Sequence, residues 1–182
     1  YAIRNGARIL NNSWGGGGYS MALRDAIIAS YTANRLFVVA AGNRAGDIDR
    51  SPFFPASYGV PNLVTVAALD HEEKLAWFSN WGYEKVHVGA PGVSVRSTLP
   101  GAMCDHPPCY GYLSGTSMAA PHVSGIAARM VCQQPELMHL QLKKIIMDTA
   151  ISNAALEGKI GGGRVSEIDA VYLASTTDPD TG

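Results

Sequence analysis

The chain has no charge excess of either sign, no long apolar run and few cysteines. With 14 Lys and Arg against 15 Asp and Glu, its formal net charge is −1. That leaves no electrostatic footprint for nucleic acid or for an anionic membrane. The longest apolar stretches, such as LFVVAAG, fall far short of the roughly 20 residues that cross a bilayer, so no membrane segment is expected. There is no internal repeat and no domain linker. The run GGGGYS fits neither the dinucleotide spacing G-x-G-x-x-G nor a phosphate loop closed by Lys-Ser/Thr. A G-x-S-x-G elbow is absent, and Ala120, three residues after Ser117, rules out S-x-x-K. Three cysteines are too few for a disulfide scaffold. Cys104 and Cys109 bracket DHPP and are placed to close a small disulfide loop. Cys132, in an apolar helix, is expected as a buried thiol. One local pair plus one buried thiol is compatible with secretion, and a secreted or extracytoplasmic location is expected. Cys104, Asp105, His106 and Cys109 have zinc-binding chemistry, but two prolines in so short a loop oppose a four-ligand cage. No metal is expected there.

What is present is globular. Hydrophobic residues make up 47% and charged ones 16%, enough apolar side chain to fill one domain's core. The chain opens on YAIRNGARIL, read as a helix end, a glycine stop at Gly6 and a strand. An opening in mid-pattern predicts that further residues lie upstream. ARILNNS, RLFVVAAGN, NLVTVAALD and KVHVGAPG read as strands. SMALRDAIIASYTAN has helical spacing in Met21, Ala22, Ala26, Ile27 and Ser30. TSMAAPHVSGIAARMVC is apolar nearly all round and predicts a buried helix. PELMHLQLKKIIMDTA predicts an amphipathic helix with Pro135 at its start, and VSEIDAVYLAS a last short one. STTDPDTG is polar and turn-rich, a tail. Continuous apolar strands alternating with helices predict an α/β fold whose parallel sheet is covered on both faces. Ligands gather beyond the carboxyl ends of such strands. The polar tips NNSWGG, AAGN and GAPG all fall at those ends and should lie together.

Three stretches carry possible chemistry. In SGTSMAAPHVSG, Ser117 stands where an apolar helix begins. Free N–H groups and the helix dipole there can stabilise an oxyanion. Taken alone, Thr116 or Ser117 reads first as an N-cap, with Pro121 in the first turn. In VVAAGN, Asn43 hangs just past a buried strand, where its amide can donate into a cleft or simply hold a turn. In NNSWGGGG, a polar strand end leaves backbone groups free for an extended peptide to pair with. A flexible connector has the same composition.

Together these stretches say more. NNSWGG, AAGN, FPASYG, FSNWG, VGAPGVSVRSTLPG and GTSMAAPHVSG occur in the order and rough spacing of the subtilisin-like serine proteases, and the chain resembles that family over about residues 1–174. The resemblance implies a three-layer subtilisin-like fold, mostly parallel sheet between helices, with the N-terminal part of the domain missing and 175–182 as a flexible tail. It implies a serine endopeptidase with protein or peptide substrates, Ser117 as nucleophile, Asn43 as oxyanion donor and Thr116 among the substrate-binding residues. Ser13, Trp14 and Gly15 become the strand that pairs with substrate, Trp14 lining a hydrophobic subsite. Ala40, Ala41 and Gly42 become the wall of the pocket for the residue before the scissile bond. With Phe53 at its base, that pocket is expected to prefer Leu or Met. Phe54–Pro55 matches the family's cis-proline site. The family's weak cation site near PASYGVPNL has its acidic partner at the position of His87, so no cofactor is expected in this chain, and any calcium would belong to the missing part.

One requirement is unmet. The family sets its aspartate in D-[ST]-G and its histidine in H-G-T, ahead of the serine. Asp25, Asp47, Asp49 and Asp70 are followed by Ala, Ile, Arg and His, and His71, His87 and His106 by Glu, Val and Pro. His122 is five residues past Ser117, about 500° around the same helix, and points away. The base is expected outside the chain, in its missing N-terminal complement, and the chain alone is expected to be inactive. The alternative is a non-catalytic peptide-binding domain that keeps the cleft and lacks the base.

Overall fold

The computed structural model describes residues 1–103 and 109–180. Four strands, β1 (Ile9–Asn12), β2 (Leu36–Ala40), β3 (Leu63–Leu69) and β4 (Val88–Pro91), form one sheet in that order, every pair parallel. Helix α1 (Met21–Thr32) joins β1 to β2, and α2 (Thr116–Gln133), α3 (His139–Asp148) and α4 (Glu167–Thr176) follow the sheet. β2 and β3 are buried along their whole length, as their unbroken apolar sequences require. Their side chains alternate between two cores. Leu36, Val38 and Ala40 face α2, α3 and α4 with Val64, Val66 and Val88. Phe37, Val39 and Ala41 face the α1 side with Ile27, Ala67 and Leu69. This is the expected α/β arrangement of a parallel sheet between helical layers.

Several local expectations need correction. α2 is not buried all round. Thr116, Ala119, Ala120, Val123, Ile126, Ala127 and Met130 are buried, while Pro121, His122, Gly125 and Arg129 are exposed. Cys132 falls on the face turned away from the sheet and is an exposed free thiol, not a buried one. In α1, Met21, Ala22 and Ala26 are exposed. Ile27 and Ser30 are buried, with Leu23, Ile28 and Tyr31 packed partly against the core. α3 begins at His139 rather than Pro135. The Arg8 guanidinium donates to the Pro135 and Leu137 carbonyls, which holds 135–137 as a turn, and Gln141 accepts the Met138 N–H to start the helix. An antiparallel hairpin, β5 (Val95–Thr98) with β6 (Tyr110–Leu113), was not anticipated because its exposed residues give no apolar pattern. Cys109 is disulfide-bonded. Cys104 and the rest of the candidate zinc loop lie outside the described residues.

His87 sits just before β4 and continues the ladder with its side chain. Its N–H donates to the Thr65 carbonyl, while its ring Nδ1 accepts the Thr65 N–H at 2.9 Å. A backbone N–H can only donate, so the imidazole is neutral with its proton on Nε2. Lys143 Nζ stands 2.9 Å from that Nε2 and donates to the Pro61 carbonyl. Lys143 thus brings the chain's own cation to the Pro61 carbonyl. Burial pushes the imidazole down to about 3, with Lys143 and Lys85 adding repulsion. The unfolded chain therefore takes up this proton near 6.5, before the folded one does. Stability is expected to be full above pH 6.5 and to fall as pH drops towards 3, by on the order of 3–5 kcal/mol. Urea unfolding at stepped pH checks this: His87→Gln should flatten that interval, and an unchanged slope would assign the acid sensitivity elsewhere.

Candidate active site

The N-terminus of α2 is where the strand tips meet. Gly115, its N-cap, donates its N–H to the Gly92 carbonyl just past β4 at 2.8 Å. Thr116 is buried and reaches past the end of β2: its hydroxyl accepts the Gly42 N–H at 3.1 Å. Ser117 reaches past β1. Its Oγ donates to the Ser13 carbonyl at 3.0 Å, and the Ser13 hydroxyl donates to the Ser117 carbonyl at 2.9 Å. The tips of NNSWGG, AAGN and GAPG are thus brought together, as expected from their places in the sheet.

Asn43 is oriented by Thr116. Its Oδ1 accepts both the Thr116 N–H and the Thr116 hydroxyl, each at 2.9 Å. With the oxygen fixed, the amide nitrogen must point the other way, and Nδ2 is free of acceptors among the described residues. A Cβ built on Gly115 would stand 3.3 Å from that nitrogen and 3.7 Å from the Ser117 backbone nitrogen. Asn43 Nδ2 and the Ser117 backbone nitrogen thus both lie close to Gly115 at the start of α2.

A cavity of about 380 Å³ opens next to this point. Ser13, Trp14 and Gly15 form one wall and Ala40, Gly42 and Asn43 the other. Ala41 is fully buried in the core on the α1 side and does not line the cavity. Trp14 is half exposed at the lip. Phe53 lies between the walls: a Cβ on Gly15 would come within 2.5 Å of its ring and one on Gly42 within 2.8 Å. Phe54–Pro55 is cis, and the Phe54 carbonyl accepts the Gly16 N–H at 2.9 Å, tying the recognition strand to this segment.

Sequence reasoning gave Asn80 no role. Its Oδ1 accepts the N–H groups of Arg44 and Gly46, and its Nδ2 donates to the Ala41 carbonyl. It fixes the turn that carries Asn43, and the only signal for it is its place in FSNWG. Gly42, at φ 103°, passes so close that a Cβ would lie 2.4 Å from Asn80 Nδ2. Gly42→Ala is expected to destabilise the fold by about 2 kcal/mol or more. An unchanged urea midpoint would show that the turn has room.

No histidine among the described residues bonds Ser117. His122 is exposed on the same helix, His139 pairs with Asn34, and His87 is bound up with Thr65 and Lys143. Ser117 also borders a second cavity, about 340 Å³, lined by Val95–Ser97, Met118, Pro121 and His122 but not by Asn43.

A hydroxyl on a helix start, an amide oriented by Thr116 and a backbone-lined slot thus meet at the carboxyl ends of a parallel sheet. The chain belongs to the subtilase family, whose profile matches residues 1–168. It is 36% identical over 165 residues to fervidolysin of Fervidobacterium pennivorans, covering 82% of this chain and 23% of that protein. It is 35% identical over 171 residues to the thermophilic serine proteinase of Bacillus sp. strain AK1, covering 94% of this chain and 39% of that one. Among solved structures it resembles a protease of Pseudoalteromonas arctica, with a TM-score of 0.80 at 29% identity, covering 94% of this chain and 52% of that one. The chain thus spans well under half the length of these two curated relatives.

Proposed function

We propose that the chain is the nucleophile-bearing portion of a serine endopeptidase. The observation that carries this reading is the pinning of Asn43 by Thr116, which aims a free amide at the space beside the Ser117 hydroxyl. The substrate backbone pairs with Ser13–Gly15 as an added strand and sends the side chain before the scissile bond between Gly15 and Gly42. Ser117 Oγ attacks the carbonyl carbon. The negative charge that develops on the carbonyl oxygen falls to Asn43 Nδ2 and the Ser117 N–H. Collapse expels the amine and leaves an ester on Ser117, which water then hydrolyses.

The serine proton must go to a base. None of the described residues of this chain is placed to take it, so the base enters from another segment, into the 340 Å³ cavity beside Ser117. An aspartate orienting that base comes with it. The disulfide at Cys109 supports a secreted or extracytoplasmic setting. No described helix is long and apolar enough to cross a membrane.

Peptide hydrolysis by the 182-residue chain, alone and mixed with the upstream segment of its full-length protein, tests the reading. The lone chain should be silent and the mixture active. Silence of the mixture with peptide binding retained would favour the non-catalytic peptide-binding alternative. Turnover by the lone chain, abolished by Ser117→Ala, would mean that one of its own histidines serves as base.

A further inference from the structure

The slot for the residue before the scissile bond contains a cation that sequence reasoning did not use. Arg44 lines the same cavity as Gly15, Gly42 and Phe53. Its backbone is held in place: Asn80 accepts its N–H at 2.9 Å, and the next residue, Ala45, donates to the Phe78 carbonyl at 2.8 Å. Its guanidinium carbon stands 5.8 Å from the centre of the Phe53 ring. A Cβ on Gly16 would lie 3.8 Å from one of its terminal nitrogens. The charge therefore hangs between the floor of the slot and the end of the recognition strand.

Nothing among the described residues neutralises it. No carboxylate lines the cavity, and Arg44 has no ion pair among the described residues. The two acids of its own loop are engaged elsewhere: Asp47 with Arg50, and Asp49 with the N–H groups of Glu84 and Lys85. Phe53 fills the inner part of the slot, so an entering side chain must be short, and its tip ends level with the guanidinium rather than beyond it. A carboxylate on two or three carbons meets that geometry, with the fork of guanidinium donors facing it.

We propose that this pocket selects an acidic residue, aspartate or glutamate, immediately before the scissile bond, with Arg44 as the selecting cation and Phe53 as the floor that limits length. The inference rests on the peptidase reading of the site and replaces the expectation of Leu or Met, which considered the wall and floor but not Arg44.

The test uses the complete protease and matched peptides that differ only at this residue, as Glu, Gln or Leu. Glu and Gln have the same shape, so their ratio reads charge alone. The expected ratio of kcat/KM, Glu over Gln, is about 10-fold at low salt, and it should shrink as salt rises because the cation is exposed. Arg44→Gln should bring the ratio to one. Arg44→Glu should reverse it and make a Lys peptide the better substrate, a gain that misfolding cannot produce. Equal rates for Glu and Gln in the unaltered enzyme, or a ratio unmoved by Arg44→Gln, would overturn the proposal. Binding of the corresponding acetyl-tetrapeptide amides, measured by calorimetry, separates the two readings. Preference for Glu in binding without turnover would sink the hydrolytic reading and support the pocket; turnover without any Glu preference would do the reverse.

Discussion

Ser117→Ala in the complete protease is expected to abolish covalent labelling by a fluorophosphonate and to lower kcat by roughly 10⁶-fold, the scale known for the nucleophile of subtilisin, a member of the same family. Binding of peptide should largely survive, because the recognition strand and most of the slot are built by other residues. Among the described residues the Ser117 hydroxyl bonds only the Ser13 carbonyl, so its loss leaves no buried donor stranded. The adduct should map to Ser117 by mass spectrometry. Labelling of any other serine would remove Ser117 from the mechanism.

Asn43→Leu should lower kcat by about 10²–10³ with KM nearly unchanged, again a range known from the oxyanion asparagine of subtilisin. The separation of kcat from KM follows from geometry. In the proposed mechanism the free amide faces the volume where charge develops, and Ser13–Gly15 hold the substrate strand. Leucine is close in size but offers neither the donor nor the acceptor that Thr116 uses, so the Thr116 N–H and hydroxyl lose their partner as well. Asn43→Asp keeps that acceptor and places a negative charge where the oxyanion forms, so it should be at least as damaging. A change confined to KM would assign Asn43 to ground-state binding.

Much of this was legible in the sequence because the signals were strong and local. β2 and β3 announce themselves as unbroken apolar runs, and a strand buried on both faces has no other pattern available to it. The convergence of the three polar tips follows from parallel topology alone. What could not be read was set by contacts distant in sequence. The start of α3 depends on Arg8, more than 120 residues away. The exposed face of α2 is built from Pro, His and Gly at positions where apolar residues would read the same. Arg44 looks like an ordinary loop residue until Asn80 holds the turn and Phe53 rises beneath it. Hairpin β5–β6 has exposed, mixed side chains, so its pairing owes nothing to a hydrophobic period.

The bond between Ser13 and Ser117 closes a loop of 104 residues. The loop-closure entropy of so distant a pair must be met before the contact returns anything, and topologies rich in such contacts fold slowly. During synthesis β1 leaves the ribosome about 100 residues ahead of α2, at roughly 5–20 residues per second. For several seconds the emerging chain holds the recognition strand and Asn43 without the serine or the threonine that orients the amide. The pairing of Ser117 with the strand tips therefore forms only when one late helix docks against strands made long before it.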